Sequence, residues 1–142
     1  MMMMIAVALT GCSDRLEIDL DKIQEYLEEN NLTAEVTEDG IYYIVEESGF
    51  GAKPNLASTV TVHYEGFLLD GSKFDSSLDR GQPAEFPLTN VIRGWQLGIP
   101  LFREGGRGTL IIPSQLAYGS EARTGIPRNS VLLFNISLIQ VE

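Results

Sequence analysis

Thr59-Val60-Thr61-Val62-His63-Tyr64 alternates apolar and polar residues with a period of two, and Asp70-Gly71 then turns the chain back toward Phe74. Side chains on a strand point alternately to opposite faces, so Val60, Val62 and Tyr64 share one face and His63 lies on the other. Asp-Gly between such segments is a strong short-range signal for a hairpin. Upstream, Ile41-Tyr42-Tyr43-Ile44-Val45 is β-branched and aromatic and is bounded by Asp39-Gly40 and Ser48-Gly49, which predicts another strand. Downstream, Arg107 to Ile112 and Ser130 to Val141 read as two more strands. Between hairpin and strands, Val91, Trp95 and Ile99 recur at i, i+4 and i+8, predicting a helix that Pro100 ends. Pro113 to Asn129 is a long loop with two glycines and two prolines, and a loop of that length in a compact domain is usually functional. The order of elements predicts an α+β fold, an antiparallel sheet wrapped over a single helix.

Further toward the N-terminus the period changes. Leu16, Leu20, Ile23 and Leu27 follow i, i+4, i+7, i+11, with Ser13 or Asp14 as the cap and Asn30-Asn31 as the stop. The opposite face is almost wholly acidic, so this is an amphipathic helix whose apolar stripe packs on the body or spaces it from a membrane. Two turns of heptad are too few for a coiled-coil seam. Charge divides the chain at the same place. Residues 13–47 carry twelve carboxylates against Arg15 and Lys22, whereas the remaining part balances, eight against eight. The net charge of −10 opposes binding to nucleic acid phosphates. With 44% apolar and 21% charged residues, the 142-residue chain has the composition of one globular domain plus an acidic extension.

One cysteine and one histidine leave no basis for an intramolecular disulfide or a histidine-rich metal site. Cys12 closes an uncharged run that starts at Met1, through Leu9-Thr10-Gly11-Cys12, and this tetrapeptide resembles the lipobox of bacterial lipoproteins. The resemblance implies diacylglyceryl transfer to the thiol, removal of residues 1–11 and anchoring by several acyl chains at the bacterial cell envelope. The anchor would face the periplasm from either membrane or sit at the cell surface. One departure is that only Met1 to Met4, and no Lys or Arg, precedes the apolar run. The run is also too short to span a bilayer, which takes about 20 residues. The expected organisation is a signal segment at 1–11, a lipidated cysteine and acidic helix at 12–35, and a domain at 36–142.

Acid–base and nucleophilic constellations are missing from the body. His63 reads as a solvent-facing strand residue, and there is no Gly-x-Ser-x-Gly, phosphate loop or dinucleotide fingerprint. What stands out is the supply of large apolar residues. On residue type alone Trp95, Phe134 and Phe86 read as core, Tyr64 and Tyr118 as tyrosines with a satisfied hydroxyl, and Asp75 with Arg80 as a surface pair. Their joint order says more. VHYEGFLLDGSKFDSS (Val62 to Ser77), VIRGWQLGIP (Val91 to Pro100), LAYG (Leu116 to Gly119) and SVLLFNISLIQVE (Ser130 to Glu142) resemble FKBP-type peptidyl-prolyl cis/trans isomerases over about residues 40–142. The leading helix resembles the N-terminal extensions of lipoprotein members of the bacterial family.

The resemblance implies a five- or six-stranded half-barrel around one helix, with a proline pocket between them. It assigns Tyr64 and Phe74 to one wall, Asp75 and Arg80 to a carboxylate and its salt-bridge partner, and Phe86 to the other wall. Val91 and Ile92 stand at the helix start and Trp95 on the floor. Tyr118 supplies a hydroxyl to the bound peptide's backbone, Ile126 a backbone N–H from the long loop, and Phe134 the wall from the last strand. The catalytic set so implied is Tyr64, Asp75, Trp95, Tyr118 and Phe134; the others bind substrate. Two departures are Ala84, where many members have a bulky aromatic, and Gly125, where some carry isoleucine. They bear on the preference at the residue before proline and on macrolide inhibitors, a further ligand class of the family. The implied protein is a monomeric isomerase without cofactor or metal, acting on proline-containing exported polypeptides. The alternative use of the same pocket is as an envelope holdase or docking module with little catalysis.

Overall fold

The computed structural model describes residues 11–142, with side chains from Asp14 onward. The Cys12 thiol and all of the signal segment 1–11 but its last residue lie outside the described residues. Helix α1 (Gly11–Glu29) leads into strands β1 (Glu35–Val36), β2 (Tyr42–Glu47), β3 (Thr59–Leu68) and β4 (Lys73–Ser76). A short helix α2 (Ser77–Arg80), strand β5 (Ala84–Pro87) and helix α3 (Arg93–Gly98) follow, then β6 (Arg107–Ile112) and β7 (Leu132–Val141). Among the described residues no helix is long and apolar enough to cross a membrane.

The sheet runs β1-β2-β6-β7-β3-β4, and β5 also pairs with β3. All pairings are antiparallel. Strands β4 and β5 share one edge of β3: β4 takes Glu65 to Phe67 and β5 takes Thr59 to Val62. Among the described residues the sheet therefore has seven strands where five or six were expected. The additions, two-residue β1 and four-residue β5, carry too short a pattern to be read before their partners are known. Alternation along β6 and β7 serves two cores at once. Leu110, Ile112, Leu132, Phe134 and Ile136 pack on one face with Trp95, Ile99 and Phe102, while Ile111 and Leu133 pack on the other with Ile23, Leu27 and Tyr42. Both faces being covered there explains why Leu110–Ile112 and Leu132–Phe134 are continuous apolar runs, whereas from Asn135 onward β7 alternates buried and exposed residues.

The helices depart from expectation in instructive ways. Helix α1 is already helical at Gly11, so Ser13 and Asp14 lie within its first turns instead of capping it, with the Asp14 carboxylate near the positive end of the helix dipole. Its C-terminus is as read: Asn31 adopts φ 54° and Leu32 N–H donates back to Leu27 O over 2.9 Å, closing a left-handed cap. The expected helix over Val91 to Ile99 contracts to Arg93–Gly98, because Val91 is extended and Ile99–Leu101 tightens into a 3₁₀ turn. Pro100 fits there because the first positions of such a turn need no N–H donor. Gly94 and Gly98 let α3 sit on the sheet, since a Cβ would fall 2.4 Å from Ile112 and 2.6 Å from Leu110. The single-helix core is thus accompanied by α2. Ser76 caps α2 by accepting from Asp79 N–H (3.0 Å), and Gly81 at φ 75° ends it.

Candidate active site

Between α3, the sheet face that α3 packs on and the long loop lies a cleft of about 460 Å³ lined by aromatic and aliphatic side chains. Trp95 occupies its floor and is 4% exposed. Three rings stand around the indole: Tyr64 at 5.0 Å and 85°, Phe134 at 5.1 Å and 80°, and Phe86 at 5.2 Å and 59°. Phe74 extends the wall, edge-on to Phe134 at 5.6 Å. Such tilted and edge-to-face pairs suit the ring quadrupole and fix each ring's orientation. The close approach of Phe74 to Phe134 depends on Gly66 in β3, where a Cβ would lie 2.6 Å from Phe74 and 2.9 Å from Phe134. The indole N–H of Trp95 has no hydrogen-bond partner among the described residues.

The polar group of the cleft is a triad of side chains. The Tyr64 hydroxyl donates to Asp75 Oδ2 over 2.5 Å, and Arg80 donates to Asp75 Oδ1 and to the Tyr64 hydroxyl oxygen (3.1 Å). The Arg80 guanidinium also lies 5.7 Å from the centre of the Tyr64 ring. Helix α2 makes this possible by carrying Arg80 back beside the strand that holds Asp75. Desolvation works to raise the Asp75 pKa, but the Tyr64 hydroxyl and the Arg80 charge together hold the carboxyl below its ordinary value. Burial first, and then the hydrogen bond to Asp75, push the Tyr64 phenol above its usual pKa. Tyr64 therefore stays protonated and Asp75 ionised throughout the neutral range.

Ten of the eleven pocket residues expected from sequence converge here. Tyr64, Phe74, Asp75, Phe86, Val91, Ile92, Trp95, Tyr118 and Phe134 line the cleft, and Arg80 reaches it through Asp75 and Tyr64 without lining it. Ile126 differs. It is 6% exposed and packed in the core beneath the loop, and its N–H is donated to the Arg123 carbonyl at 2.8 Å. That amide is occupied, so the expected grip on a peptide through Ile126 is not available in this geometry. The Arg123–Ile126 bridge requires a tight turn, and Gly125 at φ 77° provides it, which accounts for glycine at that position. Asn90, Ala117 and Arg123 line the cleft without having been singled out. Arg123 is the informative one, its guanidinium 4.9 Å from the centre of the Tyr118 ring at the mouth. His63 is on the face opposite Val62 and Tyr64, as alternation requires. It is only partly exposed, however, with Nδ1 2.9 Å from the buried Ser77 hydroxyl.

The family model described as FKBP-type peptidyl-prolyl cis-trans isomerase matches residues 51–139, more than half of the chain. The chain belongs to the FKBP-type peptidyl-prolyl cis-trans isomerase family. Among curated proteins it is 48% identical over 123 residues to the FKBP-type peptidyl-prolyl cis-trans isomerase FkpA of Aeromonas hydrophila, covering 85% of this chain and 46% of that one. It is 45% identical over 104 residues to the peptidyl-prolyl cis-trans isomerase Mip of Coxiella burnetii, covering 72% and 45%. The crystal structure of FkpA from Escherichia coli superposes with a TM-score of 0.80 at 38% identity, covering 92% of this chain and 62% of that one. The chain spans less than half the length of the curated relatives it matches. FKBP membership and the α+β fold expected from sequence are therefore both met, and the cleft lies where the family's motifs come together.

Proposed function

We propose that the protein accelerates cis–trans rotation about X-Pro bonds in proline-containing polypeptides, without covalent chemistry, in the aromatic cleft floored by Trp95. The observation that carries this reading is the box itself: five rings set at fixed angles around a space of about 460 Å³ in an FKBP-type chain. Rotation about the bond to proline is opposed by about 18–20 kcal/mol because the nitrogen lone pair is shared with the carbonyl. A quarter turn removes that sharing and leaves an amide with less charge separation than the planar one. Taking the twisted amide out of water therefore costs less than taking out the planar one, and a dry ring-walled cleft favours the transition state over the ground state.

Each side chain follows from this. Trp95, Phe86, Phe74 and Phe134 exclude water around the proline, and Tyr118 at the mouth presents its hydroxyl to the flanking peptide backbone. Asp75, neutralised in part by Arg80, holds the Tyr64 phenol against the indole. The complete chain is expected to give saturable acceleration in a protease-free isomerisation assay on a short X-Pro peptide. Asp75→Ala is expected to lower kcat/KM by about tenfold, the equivalent of roughly 1.4 kcal/mol of transition-state stabilisation. Phe86→Ala, which opens one wall, lowers it at least as far. A folded wild-type chain with no acceleration overturns the reading.

We further infer that Cys12 carries a lipid anchor that holds the isomerase at the bacterial cell envelope, where its substrates would be exported polypeptides. Leu9-Thr10-Gly11-Cys12 supports this, closing an uncharged run directly ahead of the acidic helix. Cells fed labelled palmitate should incorporate it into the wild type and not into Cys12→Ala. Label surviving that substitution removes the anchor.

A further inference from the structure

Helix α1 lies outside the segment matched by the family model, yet one of its residues reaches the 3₁₀ turn that leads into Tyr118. Asp19 is 0% exposed. Its Oδ2 accepts from both the backbone N–H (2.9 Å) and the hydroxyl (2.5 Å) of Ser114, 95 residues away in sequence. Arg15 approaches the other oxygen only to 3.9 Å, and that oxygen has no hydrogen-bond partner among the described residues. A buried carboxylate is a poor way to dock a helix, because an apolar side chain of similar size stabilises the contact as well or better. Its value must lie in what it does to Ser114.

Ser114 opens the 3₁₀ turn Ser114–Leu116, whose first N–H groups have no partner within the turn. Asp19 supplies the missing acceptor from another helix. The Ser114 carbonyl then accepts from Ala117 N–H (3.0 Å) and Gly119 N–H (2.8 Å), the two amides that flank Tyr118. Gly119 O in turn accepts from Asn129 N–H (2.7 Å), closing the base of the long loop. The chain of hydrogen bonds runs from α1 through Ser114 to both sides of Tyr118.

We propose that Asp19 is a positioning residue for substrate binding: by holding Ser114 it sets the pose of the turn that aims the Tyr118 phenol into the cleft. The helix outside the family domain is thereby part of the site's construction. This rests on the isomerase reading for its kinetic test and on geometry alone for its spectroscopic one.

The test is a double-mutant cycle on the complete chain. Asp19→Ala should lower kcat/KM by about 10- to 100-fold, the usual consequence of a small misplacement of a binding group, with the change falling mainly on KM. Asp19→Asn, whose amide oxygen can still accept from Ser114, should recover activity to within about threefold of the wild type. The exposed neighbour Asp21→Ala should behave as wild type. In a Tyr118→Phe background the Asp19→Ala loss should largely vanish, because interacting residues are non-additive while independent ones multiply. Should Asp19→Ala fail to fold, Ser114→Ala removes the hydroxyl bond by a small trimming and runs the same cycle. In parallel, 3-fluorotyrosine NMR, with the Tyr118 line assigned through Tyr118→Phe, should show that line displaced by Asp19→Ala and left in place by Asp21→Ala. Losses that multiply, or a Tyr118 line that stays in place, overturn the proposal. A wild type inactive on X-Pro peptides overturns the isomerase reading instead and leaves the Tyr118 line to decide this one.

Discussion

Asp75 sits among competing influences, and their balance fixes how the cleft responds to pH. Its folded-state pKa is depressed, so its contribution is complete above the unfolded value and is lost as pH falls through the folded one. Tyr64 runs the other way. Its pKa is raised, so the bond it donates is complete below the unfolded value and is lost only as pH rises through the folded one. Between those limits neither partner changes charge, and no histidine lines the cleft. The kcat/KM profile on an uncharged X-Pro peptide should therefore be flat from about pH 5 to pH 9, since the ordinary values are near 4 for Asp and 10 for Tyr. A bell centred near neutrality would show that a titrating group takes part in the rotation. The rings of this site could be picked out by residue type and order once the four motif blocks were recognised. Two facts could not. The Ile126 N–H is taken by a backbone carbonyl, which no side chain advertises, and Asp19 looks like one more solvated carboxylate in an acidic helix although it lies on the buried stripe with Ile23 and Leu27.

At the scale of elements, legibility follows how much of an element's shape its own residues determine. Strand β3 is long and has one face buried, so Thr59 to Tyr64 must alternate, and they do. The end of β6 and the start of β7 are covered on both faces and announce themselves as apolar runs, Leu110–Ile112 and Leu132–Phe134. Strand β5 has only four residues, and β1 two, and they exist because a neighbour offers a free edge; α2 is a single turn held by Ser76 and Gly81. Helix α3 shows the opposite case, where apolar spacing was real but outran the helix. Val91 and Ile99 pack on the core from an extended residue and a 3₁₀ turn, and six residues between them do the positioning of Trp95. That short helix depends on close contact with β6. Gly94→Ala places a methyl group 2.4 Å from Ile112 Cγ2, against a strand that cannot retreat because α1 backs its other face. Overpacking of this kind costs about 1–3 kcal/mol. A drop of that size in urea-unfolding free energy is expected, with a loss of kcat/KM larger than Asp21→Ala produces, because Trp95 moves with the helix. Unchanged activity would mean that the indole is held by its ring neighbours and not by α3.

Taken whole, the molecule is one sheet with a core on each side, and the two cores share strands. Ile111 and Leu133 face α1, while their immediate neighbours Leu110, Ile112, Leu132 and Phe134 face α3 and the cleft. A disturbance of either core must pass through the same β6–β7 ladder, whose pairs run from Arg107↔Ser137 to Ile112↔Leu132. The acidic extension and the balanced body, distinct by charge, are thus mechanically one unit, which the charge boundary near residue 47 did not suggest. The consequence is cooperativity. Helix α1 contributes Ile23 and Leu27 to the second core, and Ile23 is 0% exposed. Ile23→Ala should cost about 2–5 kcal/mol, the range for truncating a buried aliphatic side chain where the site cannot collapse. In urea its midpoint should fall without a change in slope. Far-UV circular dichroism, which weights α1, and the fluorescence of Trp95, which reports the cleft, should then trace coincident curves, as a two-state transition requires. An early dichroism loss with Trp95 still native would show that α1 detaches alone; the two cores would then be separate, and the sheet would not carry strain from one to the other.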